Sequence, residues 1–340
     1  MKTKLVYILT CTPESTYIEQ ALIAIWSARY HNPDSIIVLL TDNKTSGLLH
    51  AGGKRGEVLK YITEEKVITF DHSMTMHYRS RWLKSQVREL VDGDFLFIDC
   101  DTICKESLVE IDTFDALIAM VPDEHLRISD YPQCLHQLLK ERSNELGYDI
   151  MGEEWYYNSG VIYAKDTPLV HEFWRCWHEI WKKGEKKGIK VDQPSLGKAN
   201  IEYEHIIRRL PDVWNTLIYM NPIFADKGKI LHFWNIRNKS FIFARPFLDY
   251  LKDNGLTEYA KWCILNPLNS VLPFDNVLTR SNVFQYIQFA KQIRKQRSLY
   301  AKNVDSTFYN FPWPTNYSLL RKYISINFLN RRKDVDVFFS

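Results

Sequence analysis

The chain has 340 residues, 45% hydrophobic and 14% aromatic, enough to build a substantial core in one large domain or two smaller ones. Its six cysteines (Cys11, Cys100, Cys104, Cys134, Cys176, Cys263) include no C-x-x-C pair, which argues against a disulfide scaffold or zinc ribbon and for a reducing compartment. The net charge of +3 conceals an asymmetry: residues 276–340 carry eleven Lys and Arg against three Asp, leaving residues 1–275 at −5.

In chain order, "MKTKLVYILTCTPES" holds an apolar run too short for a signal sequence or a membrane span, and reads as a first strand, "KLVYILT". A helix is expected over 17–30, a strand at "SIIVLLT", a helix over 79–91, and strands at "DFLFIDC" and "ALIAMV". Residues 124–150 are mixed and helical, "YYNSGVIYA" at 156–164 is a strand, 168–186 a Trp-rich helix, and "VDQPSLGKANI" an acid-capped helix. "GKILHFW" at 228–234 is a further apolar run, after which the periodicity loosens. The alternation predicts an α/β fold, a three-layer sandwich around a mostly parallel sheet, over 1–245, with a basic, aromatic, mainly helical extension over 246–340. Ligands of such sheets sit at the carboxyl ends of the strands, where both Thr10 to Pro13 and Asp99 to Asp101 are expected.

The stretch "DFLFIDCDTIC" brings four apolar residues to the interior and stops on Asp99 and Asp101. Two carboxylates that close repel each other and resist desolvation, so a cation between them is favoured, and hard oxygen donors suit Mg²⁺ or Mn²⁺. The plain alternative is a pair of solvated turn aspartates. His232, after the apolar run of "KILHFWN", is a third candidate ligand or else a packed core histidine.

These segments together resemble the GT-A glycosyltransferases, in particular the retaining branch typified by glycogenin and the bacterial lipopolysaccharide galactosyltransferases. The likeness runs over about residues 1–240 through "YILTCTPESTYIEQALIAIWSARYHNP", "SRWLKSQVRELVDGDFLFIDCDTIC", "ALIAMVPDEH", "YYNSGVIYA", "VDQPSL", "LPDVWN" and "KILHFW", in the family's order. The resemblance implies a cation on Asp99, Asp101 and His232 bridging the phosphates of a nucleotide-diphosphate sugar. Thr10 and Tyr17 would hold the base, Lys84 the diphosphate, and Asp123 the donor sugar. Asn158 would meet sugar hydroxyls, with Gly160 leaving room for close approach, and Asp192 and Gln193 would stand beside the anomeric carbon. Considered alone, Lys84 also reads as a solvated helix lysine, Tyr17 as packing, and Asp192 as a helix N-cap. The family follows its histidine with a glycine and a phosphate-gripping lysine, whereas "HFWNIRNKS" supplies Trp234, Asn235, Arg237 and Lys239 without that glycine, so no phosphate contact is assigned to Arg237 or Lys239.

The expected activity is hexose transfer from a nucleotide sugar, a UDP-sugar in the first place, to a glycan or lipid-linked acceptor with retention. Rival readings are an aspartyl phosphohydrolase, suggested by "FLFIDCDT", and an inactive glycan-binding relative. Thr102 follows Asp101 directly, whereas the phosphohydrolase motif places a residue between them. No nucleic-acid module underlies the basic tail. Its mixture of aromatics and cations instead suits an anionic membrane surface, so a cytoplasmic protein peripheral to the inner face of the cell membrane is expected.

Overall fold

The first apolar run forms a strand, Lys4–Leu9 (β1), and a helix, Tyr17–His31 (α1), returns the chain so that Ile37–Asp42 (β2) pairs with β1 in parallel. This computed structural model describes residues 1–71, 73–131, 133–217, 227–234 and 241–267. The chain continues through Asn43–His50 (α2), Glu64–Ile68 (β3), Met76–Leu90 (α3), Phe95–Ile98 (β4), Thr102–Cys104 (β5), Ile118–Pro122 (β6) and Gln133–Glu145 (α4). Then come Tyr157–Ala164 (β7), Pro168–Lys186 (α5), Gln193–Glu202 (α6), Ile207–Arg209 (β8), Thr216–Leu217 (β9), Ile230–His232 (β10), Arg245–Asn254 (α7) and Glu258–Leu265 (α8).

The main sheet has seven strands in the order β3-β2-β1-β4-β7-β6-β8. All its pairings are parallel except the two that β7 makes with β4 and β6. A three-stranded sheet, β5-β10-β9, lies beyond the carboxyl end of β4. Side chains alternate across the main sheet as its pleat requires. Leu5, Tyr7 and Leu9 join Leu39, Leu96, Ile98 and Val161 under α1, whereas Val6 joins Val38, Phe95, Phe97 and Ile162 under the Trp174 and Trp177 face of α5. The expected α/β sandwich with a mostly parallel sheet is therefore the observed architecture.

Local signals explain most helix starts. α3 begins three residues earlier than its apolar pattern suggests, because Tyr78 N–H donates to Thr75 Oγ1 at 3.1 Å and caps the helix there. α5 opens on Pro168, whose missing N–H costs nothing in the first turn. Asp192 does stand at the N-cap position of α6, yet its carboxylate makes no capping bond. α2, β3, β8 and β9 carry no pattern strong enough to have been expected. α7 and α8, beyond the expected boundary near 245, contribute Phe247, Leu248, Leu251, Cys263 and Ile264 to the same core as α1. The basic tail over 276–340 lies outside the described residues, as do Arg237 and Lys239. Among the described residues no helix is long and apolar enough to cross a membrane.

Candidate active site

Parallel strands deliver their carboxyl ends to one edge of the sheet, and the polar residues of this chain collect there. Thr10 follows β1, Asp42 ends β2, Asp99 follows β4 and Asp123 follows β6. Because β7 runs the other way, its amino end brings Tyr157 to Gly160 to that same edge, and Asp99 N–H donates to Gly160 O at 2.8 Å.

Asp101 leads directly into β5, which pairs antiparallel with β10 in a register that sets Thr102 opposite His232. Phe233 N–H donates to Asp101 O at 2.9 Å and fixes the two strands at this point. One ligand atom from each of Asp99, Asp101 and His232 lies within 4.8 Å of the others. His232 is only 2% exposed, and its Nε2 faces Asp101 Oδ1 at 3.2 Å without making a hydrogen bond. A buried imidazole nitrogen without a hydrogen-bond partner, opposite a carboxylate, fits a divalent cation shared between them. Gly160 contributes space, but to the protein itself: a Cβ there would meet His232 Cε1 at 2.3 Å. The glycine expected to admit a donor sugar is thus the seat of the imidazole ring.

A chain of amides supports that ring. Gly160 N–H donates to Asn158 Oδ1 at 2.9 Å, which identifies that atom as the oxygen. Asn158 Nδ2 then donates to Asp123 Oδ1 at 2.8 Å, and Asn215 Nδ2 donates to Asn158 Oδ1 at 2.8 Å. Asn215 Oδ1 therefore faces His232 Nδ1 at 2.9 Å as an acceptor, so Nδ1 carries the proton.

The positive side of the site comes from α3. Lys84, 2% exposed, has its Nζ 3.1 Å from both Asp99 oxygens and 3.8 Å from Asp192 Oδ2. One turn earlier, Arg81 Nε lies 3.2 Å from Asp192 Oδ1. Ser159 Oγ donates to Asp192 Oδ2 at 2.7 Å. Burial alone would raise the Asp192 carboxyl, but Arg81, Lys84 and Ser159 together outweigh it and hold it at about 2. The Asp99 carboxyl is raised by desolvation, against the pull of Lys84. Two neighbouring carboxylates are thereby pushed in opposite directions. Gln193 Nε2 donates to Tyr157 O at 3.1 Å, and burial pushes the Asp123 carboxyl up.

Thr10 is buried just after β1 and donates from Oγ1 to Met76 O at 3.2 Å, while Tyr17 is partly buried against the core at the start of α1. The structure thus gathers Asp99, Asp101, His232, Lys84, Asp123, Asn158, Gly160, Asp192 and Gln193 into one connected network, with Thr10 and Tyr17 along its β1 side. Sequence reasoning missed Asn215, although it lies in the quoted "LPDVWN", and missed Arg81, three residues before Lys84 on the same helix face. It also missed Arg79, whose Nε bonds Asp42 Oδ2 at 3.0 Å in a buried pair. Glu124 and His125 were equally unforeseen. Both have positive φ (58° and 56°), an uncommon conformation for non-glycine residues that gathers at functional sites. Leu217 N–H donates to His125 Nε2 at 3.0 Å, and burial, with Asp123 beside it, pushes the Glu124 carboxyl up to about 8.

No protein-family model matches the chain, and no curated protein matches its sequence. Among solved structures it is similar to mouse xyloside xylosyltransferase 1, at 16% identity and a TM-score of 0.46 over 69% of this chain and 98% of the other. It is also similar to the galactosyltransferase LgtC in complex with donor and acceptor sugar analogs, at 13% identity and a TM-score of 0.45 over 76% and 99%. A third is the glycosyltransferase GlyE of Streptococcus pneumoniae TIGR4, at 16% identity and a TM-score of 0.48 over 82% and 66%.

Proposed function

We propose that this protein is a metal-dependent glycosyltransferase that moves a hexose from a nucleotide-diphosphate sugar, a UDP-sugar in the first place, to a glycan or lipid-linked acceptor. The observation that carries the reading is the set Asp99, Asp101 and His232, whose ligand atoms converge at the carboxyl edge of the sheet beside the buried Lys84. The ordered motifs of the sequence support it independently.

When bound, a divalent cation such as Mn²⁺ or Mg²⁺ would act as a Lewis acid on the charge of the diphosphate leaving group. The chain's own residues account for the rest. Lys84 presents a buried ammonium between Asp99 and Asp192, able to turn toward a phosphate oxygen as negative charge grows there. Asp192, held ionised near neutral pH, is suited to stabilising positive charge on the anomeric carbon. Gln193 follows it in the first turn of α6, and Asp123 and Asn158 offer an acceptor and an amide for sugar hydroxyls. Thr10 and Tyr17 take the base side of the crevice.

Retention follows from the family resemblance, in which the leaving phosphate itself assists the acceptor hydroxyl. An anionic membrane surface is proposed as the partner of the basic residues over 276–340, which would keep the protein at the inner face of the cell membrane beside a lipid-linked acceptor. Manganese-dependent hydrolysis across a panel of UDP- and GDP-sugars tests class and donor together. Turnover of at least one is expected, and none across the panel would overturn the reading. An α-linked donor should give an α-linked product by NMR. Flotation with anionic vesicles at low and high salt tests the tail.

A further inference from the structure

The chain from Gly160 through Asn158 and Asn215 to His232 has a direction. It starts at a backbone N–H, which can only donate, so every later atom in it is assigned: Asn158 Oδ1 accepts, Asn215 Nδ2 donates, and Asn215 Oδ1 must accept from His232 Nδ1. Asn215 is fully buried. Its side chain stands 57 residues from Asn158 and 17 from His232 in sequence, and meets both. In the neutral ring the remaining nitrogen, Nε2, then presents its lone pair toward Asp101, where no hydrogen bond receives it. Turning the ring over would place a carbon against Asn215 Oδ1. The ring also occupies the space a side chain at 160 would need, since a Cβ there would meet His232 Cε1 at 2.3 Å.

We infer that Asn215 is a positioning residue for the cation site, holding His232 with Nδ1 protonated and Nε2 aimed as the ligand, and that Asn158 ties this arrangement to Asp123. The inference rests on the cation-binding reading of Asp99, Asp101 and His232. It adds that a site reached by sugar hydroxyls, Asp123 with Asn158, shares one amide relay with a metal ligand. Partners of this kind typically tune metal affinity by about 10- to 100-fold.

The test uses the full chain labelled with ¹⁵N-histidine, reading the His232 tautomer from long-range ¹H–¹⁵N correlations assigned with His232→Gln, and Mn²⁺ affinity by calorimetry with Mn²⁺ alone. Wild-type protein is expected to show the Nδ1–H form. Asn215→Leu should give a tautomer mixture and weaken Mn²⁺ binding by about 10-fold or more. Asn215→Asp, which keeps an acceptor oxygen at Nδ1, should restore the Nδ1–H form and most of the affinity. Asn215→Leu protein with the Nδ1–H form intact and Mn²⁺ affinity within about twofold of wild type would overturn the inference. If Asn215→Leu does not fold, Asn215→Asp decides: a switch to the Nε2–H form, or affinity no better than in Asp101→Asn, counts against it. Wild-type protein that ignores Mn²⁺ would sink the proposed function, whereas the tautomer spectra judge the role of Asn215 separately.

Discussion

α1 and α3 are both 15-residue helices on opposite faces of one sheet, and they are used in opposite ways. α1 buries Ile18, Ala21, Leu22, Ile23, Ala24, Ile25 and Ala28, and is covered on its outer side by Phe247, Leu248 and Leu251 of α7. α3 buries three cations, Arg79, Lys84 and Arg88, and each has its counterpart. Arg79 meets Asp42 and Lys84 meets Asp99. Arg88 lies over the Phe95 ring at 4.6 Å and donates to Gly93 O at 2.8 Å. Buried charge is tolerated only where partners are built around it, so Arg79 and Lys84 tie α3 to the polar edge and Arg88 ties its last turn to the loop before β4, while α1 is held mainly by area, its one buried carboxylate, Glu19, meeting Arg55. One helix supplies stability and the other delivers charge.

The largest test of that division is chemical. Asp101→Asn removes a ligand oxygen without changing size, and should reduce metal-dependent turnover roughly a thousandfold or more, several kcal/mol of transition-state stabilisation, while the thermal melt stays cooperative. Unchanged Mn²⁺ and UDP affinity by calorimetry would show that the cation sits elsewhere.

A matched pair of core changes compares the helices directly. Ile25→Ala on α1 should cost about 3 kcal/mol through a cavity. Lys84→Met on α3 should cost about 2–4 kcal/mol, tempered because Asp192 keeps Arg81 and Asp99 is partly exposed. Denaturant melts should therefore look alike, but below their melting temperatures only Lys84→Met should lose kcat. Equal losses of kcat would abolish the distinction.

The ion pairs of α3 also predict an acid response. The Asp192 carboxyl is depressed on folding to about 2 from an ordinary 3.8. Its contribution is thus present above the unfolded value and disappears as pH falls from about 4 through about 2, an amount of about 2 kcal/mol. Asp192→Asn should flatten the stability curve over that window. A wild-type slope persisting unchanged in the variant would refute the assignment to Asp192.

The smallest test concerns helix ends. Thr75 caps α3 through its hydroxyl, whereas Thr16 stands before α1 without a side-chain cap bond. Thr75→Ala should lower stability by about 1 kcal/mol and Thr16→Ala by less than about 0.5 kcal/mol. Reversed magnitudes in urea titrations would mean that α1 depends on its terminus more than its buried area implies.

What the sequence determined was everything written in local periodicity. The apolar runs ending at Thr10, Asp99 and Asp123, the helices over 17–31 and 168–186, and the spacing of Asp99 and Asp101 follow from contacts within a few residues. They were therefore readable without the fold. The ordered motifs extended that reading to His232, Asn158 and Asp192. Strands of two or three residues such as β9 and β10 carry no period to read, so the register that sets His232 beside Asp101 was decided by pairing with β5 across more than a hundred residues. The reversed β7, inserted between β4 and β6, alone brings Gly160 under the imidazole ring. Asn215 joins Asn158 to His232 only because three distant segments converge. Asp192 illustrates both levels. Its place at the head of α6 was local, but Arg81, Lys84 and Ser159 hold its carboxylate away from the capping role that place offers. Tertiary contacts decided its charge because two opposite charges from α3 and a hydroxyl from β7 act more strongly on a buried carboxylate than the amino end of one helix does.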